Sequence, residues 1–143
     1  MSECPRKSVG AFIEKVEDGV LKILLIDRVN EPHGWAGVAG HLDEGKTPEG
    51  MILIEIGEEV GLQGFEESAP VHEEMVSWNY CLRNKTDGHY WYLFKLRQEK
   101  YGEISIESDE VKGFGWFTPR EIEHLNLEPV WRHWFLKLGY IKE

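Results

Sequence analysis

Aliphatic and alternating runs near the start of the chain predict two β-strands joined by a tight turn. The runs are Ser8–Glu17 and Val20–Asp27, and Asp18-Gly19 separates them. Because Asp-Gly tolerates the positive φ angles of the commonest two-residue hairpin turns, we expect an antiparallel hairpin. The Gly- and Pro-containing stretch that follows predicts a short loop, which includes Pro32, Gly34, Trp35 and Gly37.

A helix is predicted from Thr47-Pro48 to about Val60. Thr is a favourable N-cap residue, and Pro suits the first helical position because it needs no backbone N–H there. Gly61 suits the left-handed conformation that commonly ends a helix. Apolar positions recur every three or four residues and predict one core-facing stripe, formed by Ile52, Leu53, Ile56 and Val60.

Aromatic-rich runs in the second half of the chain predict further strands. They cover Val71–Arg83, His89–Arg97 and Val111–Phe117, with a polar turn at 84–88 between the first two and a further short strand at Glu103–Ile106. Aromatic side chains favour strands because they pack well on a pleated surface. Strands on both sides of a helix predict an α/β fold, a mixed sheet with helices on its faces.

Two helix starts are visible near the end of the chain. Thr118-Pro119-Arg120-Glu121 has the form of a capping box, in which the Thr and Glu side chains satisfy exposed N–H groups of the first turn. A last helix is expected after Pro129, with an apolar stripe at i, i+3, i+4 and i+7. We interpret the stripe as core packing; it comprises Trp131, Trp134, Phe135 and Leu138.

Length and charge exclude several classes of protein. The 143 residues are expected to form a single domain, residues 1–143. The formal net charge is −10, from 16 Lys and Arg against 26 Asp and Glu, so binding to a nucleic acid polymer or an anionic membrane is disfavoured. A small anionic substrate would bind only if a divalent cation bridged the like charges.

Neither export nor membrane insertion is expected. No apolar run approaches the roughly 20 residues of a membrane span, and Met1–Gly10 lacks the apolar segment of a secretory signal. Cys4 and Cys81 lie far apart and suggest no disulfide framework. A reducing cytoplasm is therefore the default location.

The predicted helix carries three carboxylates on one face. Glu55, Glu58 and Glu59 stand at i, i+3 and i+4, within about 100° of one another on a helical wheel. Like charges at this spacing repel, the C-terminal half of a helix disfavours anions, and this helix has no Lys or Arg. A divalent cation such as Mg²⁺, which prefers carboxylate oxygens, would neutralise them; a solvated acidic face is the alternative.

The segment Gly40–Leu62 resembles the Nudix box. That pattern is Gly, five residues, Glu, seven residues, and then Arg-Glu-aliphatic-any-Glu-Glu-any-Gly-aliphatic. The strands before the box, Trp35 just upstream and the Glu110–Trp116 segment followed by a short helix also look like that family, so the resemblance covers nearly the whole chain. Seven of the nine specified positions match, namely Gly40, Glu55, Ile56, Glu58, Glu59, Gly61 and Leu62.

The resemblance implies a Nudix-like α/β/α sandwich with a loop–helix–loop catalytic motif. It implies a hydrolase of a nucleoside diphosphate linked to another moiety, in which a metal-activated water attacks phosphorus. The expected cofactor is Mg²⁺ or Mn²⁺ on the catalytic carboxylates, with Glu58 and Glu59 as ligands and Glu55 as ligand or base. Further expected ligands are the Ala39 carbonyl and a carboxylate outside the box, for which Glu110 is the candidate and Glu107 and Asp109 are rivals.

Two positions depart from the box. Lys46 replaces the first Glu and Ile54 replaces the Arg, which in the family support the motif through ionic contacts. One interpretation is that the support was lost as a pair and the metal site kept, since removing both partners of an ion pair costs little. Another is reduced activity, or an inactive nucleotide-binding module. A third hypothesis is an interaction protein whose helix is merely acidic.

Two residues carry weaker signals for substrate binding. Arg28, at the end of the second predicted strand, is a candidate phosphate contact, and Trp35 is a candidate for stacking on a base. A surface arginine and a core aromatic are the respective alternatives. No segment outside the box matches a signature for one substrate.

Overall fold

The computed structural model describes residues 7–29, 33–81, 86–106 and 109–142. Within these ranges, seven strands form one mixed sheet, and three helices accompany it. In chain order the elements are β1 (Lys7–Glu17), β2 (Val20–Arg28), β3 (Gly34–Ala36), β4 (Val38–His41), α1 (Pro48–Val60), β5 (His72–Cys81), β6 (Thr86–Arg97), β7 (Val111–Phe117), α2 (Pro119–Glu123) and α3 (Pro129–Lys137).

Strand β1 lies at the centre of the sheet. It pairs antiparallel with β2 and β4 and parallel with β6. The sheet continues from β2 to β3 and β7, and from β6 to β5. Positions 8–14 of β1 are all buried, as expected of a strand that is covered on both faces.

Helices cover both faces of the sheet. Alternate β1 residues divide between two cores, because successive side chains of a strand point to opposite faces. Val9 and Ala11 belong to the core beneath α1, whereas Phe12 belongs to the core beneath α2 and α3. Trp131, Trp134 and Phe135 are buried in this second core and Leu138 packs against it, so the interpretation of the stripe as core is confirmed, as is the α/β/α sandwich.

The predicted ends of the first hairpin and of α1 are also confirmed. Asp18 and Gly19 both have positive φ angles, 52° and 78°, as a tight hairpin turn requires. The Thr47 hydroxyl accepts a hydrogen bond from the Gly50 N–H at 3.1 Å, which caps α1. Gly61 ends the helix with a φ of 72°. The capping box that begins α2 is present as well.

Three predictions of local structure are wrong. The loop expected after the first hairpin contains the short strands β3 and β4. Residues 103–106 do not form a strand; Ser105 instead donates its N–H to the Val60 carbonyl at 2.9 Å, at the end of α1. The turn expected at 84–88 overlaps β6, because Thr86 already pairs with Cys81.

Some expectations fall outside the described residues. Cys4, Glu107, residues 82–85 and the Cys81 side chain are among these, so the expected absence of a disulfide stays a prediction. No helix within the described ranges has the length and apolarity needed to cross a bilayer.

Candidate active site on helix α1

Helix α1 presents its three carboxylates at different depths. Ile56 and Val60 pack into the core, and they draw the adjoining Glu59 inward, so that Glu59 is only 8% exposed. Glu55 is half-buried and Glu58 is exposed. The three carboxylates therefore differ in environment, although the helical wheel places them on one face.

The carboxylate of Glu55 packs directly against Gly40 of β4. A Cβ atom at this position would lie 2.3 Å from Cδ of Glu55 and 2.5 Å from each of its carboxylate oxygens. The Glu55 carboxylate thus occupies the space that any other residue would need for its side chain. This contact gives a physical reason for the glycine that begins the box.

Burial and mutual repulsion raise the pKa values of the inner carboxylates. Desolvation, followed by the charges of Glu58, Asp43 and Glu110, raises the pKa of Glu55 to about 7. Desolvation, followed by the charge of Glu55, raises the pKa of Glu59 to about 8. A backbone hydrogen bond from Ala39 acts in the opposite direction on the pKa of Glu59. Without a cation, the site therefore disfavours its full negative charge.

One oxygen of Glu59 has no partner. Oε2 is buried and makes no hydrogen bond to any residue within the described ranges. A buried unpartnered carboxylate oxygen is costly, so this atom calls for a donor or a cation. Among the described residues, no three His, Cys, Asp or Glu side chains are spaced to hold a metal ion as they stand, and the ligand set stays a prediction.

The charge of Glu110 acts on the acidic face of α1, and its role as a ligand stays a prediction. Its backbone carbonyl accepts a hydrogen bond from the Val29 N–H at 2.9 Å. Its charge raises the pKa of both Glu55 and Glu59. Asp109 is exposed, and Glu107 lies outside the described residues. Glu110 is exposed as well, and what favours it over Asp109 as the carboxylate from outside the box is its effect on the pKa values of Glu55 and Glu59.

Asp43 is an acidic neighbour that sequence reasoning missed. Its charge contributes to the raised pKa of Glu55. It lies three residues after Gly40, inside the box segment, at a position that the pattern leaves unspecified. The signal that the sequence offered for Asp43 was an acidic residue in the loop just before α1.

Arg28 brings positive charge to the site and is held by Glu128. Its Nη1 atom lies 3.4 Å from Oε2 of Glu128, the N-cap residue of α3. Glu128 is buried, and desolvation raises its pKa to about 7 against the opposing effect of Arg28. The charge of Arg28 also lowers the pKa of Glu59. Arg28 therefore interacts with acidic groups of both α1 and α3.

Trp35 has a packing role in this structure. Its ring packs edge-on against Phe117 with 5.1 Å between the ring centroids. Its backbone N–H donates to the Asn126 carbonyl at 2.8 Å, which joins β3 to the segment before α3. Stacking of Trp35 on a base stays a prediction.

The two departures from the box are exposed. Lys46 lies on the surface of the loop before α1, and the Ile54 side chain is 40% exposed. Neither replacement leaves an unpaired charge buried at its own position. The acidic face of α1 is intact beside them.

We expect the metal-free protein to lose stability as the pH rises from about 5 to about 8. Glu55, Glu59 and Glu128 have folded-state pKa values of about 7, 8 and 7, above the ordinary 4.5. The folded protein therefore binds more protons than the unfolded chain in this window, and the associated stability disappears as these groups ionise. Thermal melts in EDTA should show a lower Tm at about pH 8 than at about pH 5.5, by roughly 3 °C or more. Glu59→Gln should flatten this slope; an unchanged slope would contradict the assignment.

Comparison with known proteins identifies similar domains. A family model described as the NUDIX domain matches residues 5–138. A Nudix hydrolase of Rhodococcus erythropolis, orf19, is 28% identical over 94 residues, which are 64% of this chain and 50% of that protein. The chain thus spans about half the length of this curated relative.

Solved structures also resemble the chain. The E. coli dihydroneopterin triphosphate pyrophosphohydrolase has a TM-score of 0.71 at 18% identity, over 93% of this chain and 94% of that one. The NUDIX domain of Shewanella oneidensis NrtR, complexed with ADP ribose, has a TM-score of 0.67 at 18% identity, over 94% and 84%. A C. elegans Ap4A hydrolase has a TM-score of 0.59 at 22% identity, over 81% and 82%. At these identities the likeness is one of fold.

Proposed function

Because the chain belongs to the Nudix family, we propose that it is a metal-dependent hydrolase of a nucleoside diphosphate linked to another moiety. The observation that carries this proposal is the buried carboxylate of Glu59, whose Oε2 has no partner in the described part of the chain and whose neighbour is Glu55 above Gly40. The substrate class is supported by similar structures whose names include a pyrophosphohydrolase and a complex with ADP ribose.

The proposed cofactor is Mg²⁺ or Mn²⁺. The donors available on α1 are the carboxylates of Glu55, Glu58 and Glu59, and hard oxygen donors of this kind suit both ions. Glu110 and the Ala39 carbonyl are the proposed donors from outside the helix. When bound, such an ion supplies positive charge to phosphate oxygens and lowers the pKa of a coordinated water.

We assign the roles of metal ligand, base and substrate contact to the following residues. Glu58 and Glu59 are proposed as ligands, with Glu59 held in place by its buried surroundings. Glu55 is the proposed base, or a further ligand, because its half-buried carboxylate is held against Gly40 one helical turn before Glu59. Arg28 and Trp35 stay candidates for contact with the substrate.

A panel assay tests the function. Release of phosphate or nucleotide should be measured with Mg²⁺ and with Mn²⁺ from nucleoside triphosphates, nucleotide sugars, ADP ribose and dinucleoside polyphosphates. Glu49→Gln, in the first turn of α1, is the matched control because it removes one charge from the same helix outside the proposed site. Binding without turnover of any panel member would favour the second candidate function, a nucleotide-binding module that the departures at Lys46 and Ile54 motivate.

We expect millimolar Mg²⁺ or Mn²⁺ to raise the Tm. A ligand that binds only the folded state adds RT ln(1 + [L]/Kd), about 2.7 kcal/mol at 100 Kd, which corresponds to roughly 9 °C for a domain of this length. Differential scanning fluorimetry with EDTA, with each ion and with sodium chloride of equal ionic strength would measure it. The rise should persist in Glu49→Gln and disappear in Glu59→Gln. A Tm that is equal in all buffers would exclude the metal site.

A further inference from the structure

Trp131 is a fully buried side chain of α3 that packs against two glycines of the sheet. A Cβ atom at Gly37, the residue between β3 and β4, would lie 2.5 Å from Cη2 of Trp131. A Cβ atom at Gly10 of β1 would lie 2.9 Å from Cζ2 of the same ring. The outer ring of the indole therefore occupies the space that side chains at both positions would need.

The indole N–H of Trp131 does not account for a tryptophan at this position. Its Nε1 atom is buried and makes no hydrogen bond among the residues that the structure describes. A buried indole N–H usually has an acceptor, and leaving it without one is unfavourable. The feature that phenylalanine would lack is the reach of the outer ring over Gly10 and Gly37. The shape of the indole is therefore the property that the fold uses here.

Strand β4 connects the indole to the candidate site. Ala39 pairs with Gly10 in the register of β4 and β1, and it packs against the core that contains Trp131. Successive residues of a strand face opposite sides of the sheet. Gly40 therefore faces α1, and the Glu55 carboxylate packs against it there. Strand β4 thus lies between the core of α3 on one face and the acidic helix on the other.

We propose that Trp131 is a positioning residue for the acidic face of α1. The indole fixes β4, which has only four residues, from the far face of the sheet. Through Gly40, β4 sets the position of the Glu55 carboxylate. The Ala39 N–H of the same strand is hydrogen-bonded to Glu59. This inference rests on the proposed function, because the position of these carboxylates matters for catalysis only if they serve the reaction.

Trp134 provides a matched control on the same helix. It is also fully buried, and its Nε1 atom likewise has no hydrogen-bond partner within the described segments. Its ring packs against Trp91 of β6 and His72 of β5, with 5.8 Å between the ring centroids in each pair. Trp134→Phe therefore removes the same atoms from the same core as Trp131→Phe, but beside strands other than β4.

Amide hydrogen exchange in EDTA tests the positioning of β4 without metal or substrate. Trp131→Phe should speed exchange in Val38–His41 at least about 10-fold, because loosened packing lowers the local free energy of opening. Trp134→Phe should leave exchange in β4 within about 3-fold of wild type. Both variants should lower the Tm by similar amounts, since each removes one ring from the core. Equal exchange of β4 in the two variants would overturn the proposal.

Mn²⁺ affinity and kinetics test the consequence for the candidate site. Affinity, read from the electron paramagnetic resonance signal of free Mn²⁺, should weaken about 10-fold in Trp131→Phe, since residues that support metal ligands typically contribute 10–100-fold. The kcat should fall about 10-fold with KM within about 2-fold, because the indole is buried and contacts no substrate. Trp134→Phe should keep affinity and kcat within about 3-fold of wild type. Losses as large in Trp134→Phe would indicate a general loosening of the core and contradict a positioning role.

An exchange of volume between two contacting residues keeps the test decisive if Trp131→Phe folds poorly. A Cβ atom at Gly10 meets ring atoms of Trp131 and, at 3.2 Å, Cδ2 of Leu93. Gly10→Ala alone should displace the indole and weaken Mn²⁺ binding about 10-fold. Together with Trp131→Phe, the methyl group fills space that the outer ring leaves, so affinity should return to within about 3-fold of wild type. A folded double variant without this recovery would overturn the role of the indole shape.

The positioning role and the proposed function fail differently. If wild-type protein binds no Mn²⁺ and hydrolyses no panel substrate, the proposed function fails, whereas exchange of β4 in EDTA still decides whether Trp131 positions this strand. If wild-type protein hydrolyses a substrate and Trp131→Phe behaves like Trp134→Phe in every measurement, only the positioning role fails.

Discussion

Glu59→Gln is expected to lower kcat at least about 100-fold on the best substrate, a loss of about 2.7 kcal/mol in transition-state stabilisation. Glu59 is the most buried of the three helix carboxylates, and its Oε2 is available to a cation because no donor from the described residues reaches it. The amide keeps the size of the side chain but removes its charge. The fold should survive, since burial already disfavours the charged form of Glu59.

Steady-state kinetics of Glu59→Gln and Glu49→Gln would measure this effect. Both variants remove one carboxylate from α1, but Glu49 lies in its first turn, away from the proposed site. A melting curve in EDTA establishes that each variant is folded. Wild-type turnover by a folded Glu59→Gln would remove Glu59 from the catalytic site.

Gly40→Ala is expected to lower kcat about 100-fold, because displacement of a catalytic group by about 1 Å can cost this much. The new Cβ atom would fall 2.3 Å from Cδ of Glu55, so the carboxylate must move. The displaced group is the end of a flexible side chain, and we therefore expect the Tm in EDTA to change little. The variant separates the position of Glu55 from the stability of the fold.

Gly102→Ala is the control for this substitution. No atom lies within 4 Å of a Cβ built at Gly102, so an added methyl meets open space there. Kinetics and melting curves of both variants in parallel give the comparison. Full activity in Gly40→Ala would show that the position of Glu55 over β4 is not needed for catalysis.

Local signals in the sequence predict most of the elements, and pairing between distant segments accounts for the errors. The Asp18-Gly19 turn and the Thr47 cap each act within a few residues, and both appear where predicted. Strands β3 and β4 have three and four residues and contain glycine, so they have little strand preference of their own. They exist because β2 and β1 supply partners for their backbone groups.

The same distinction between local signals and distant contacts applies to the candidate site. The spacing of Glu55, Glu58 and Glu59 predicts a shared helix face without reference to the rest of the chain. Their depths depend on how α1 docks against the sheet, which a helical wheel does not describe. Sequence reasoning missed Glu128 because a Glu that precedes a Pro at the start of a helix is typical of the surface. Its burial arises from contacts with the distant strands β2 and β3.

The parallel pairing of β1 with β6 has a consequence for the rate of folding. Glu14 and Arg97, partners in this register, are 83 residues apart in sequence, and α1 lies between them. Contacts of such large sequence separation form slowly, because the intervening loop must close before it gains the stabilising contacts. Until β1 has met both β4 and β6, the α1 carboxylates lack the surface that orients them. We therefore expect cation affinity to develop late in refolding, together with closure of the sheet.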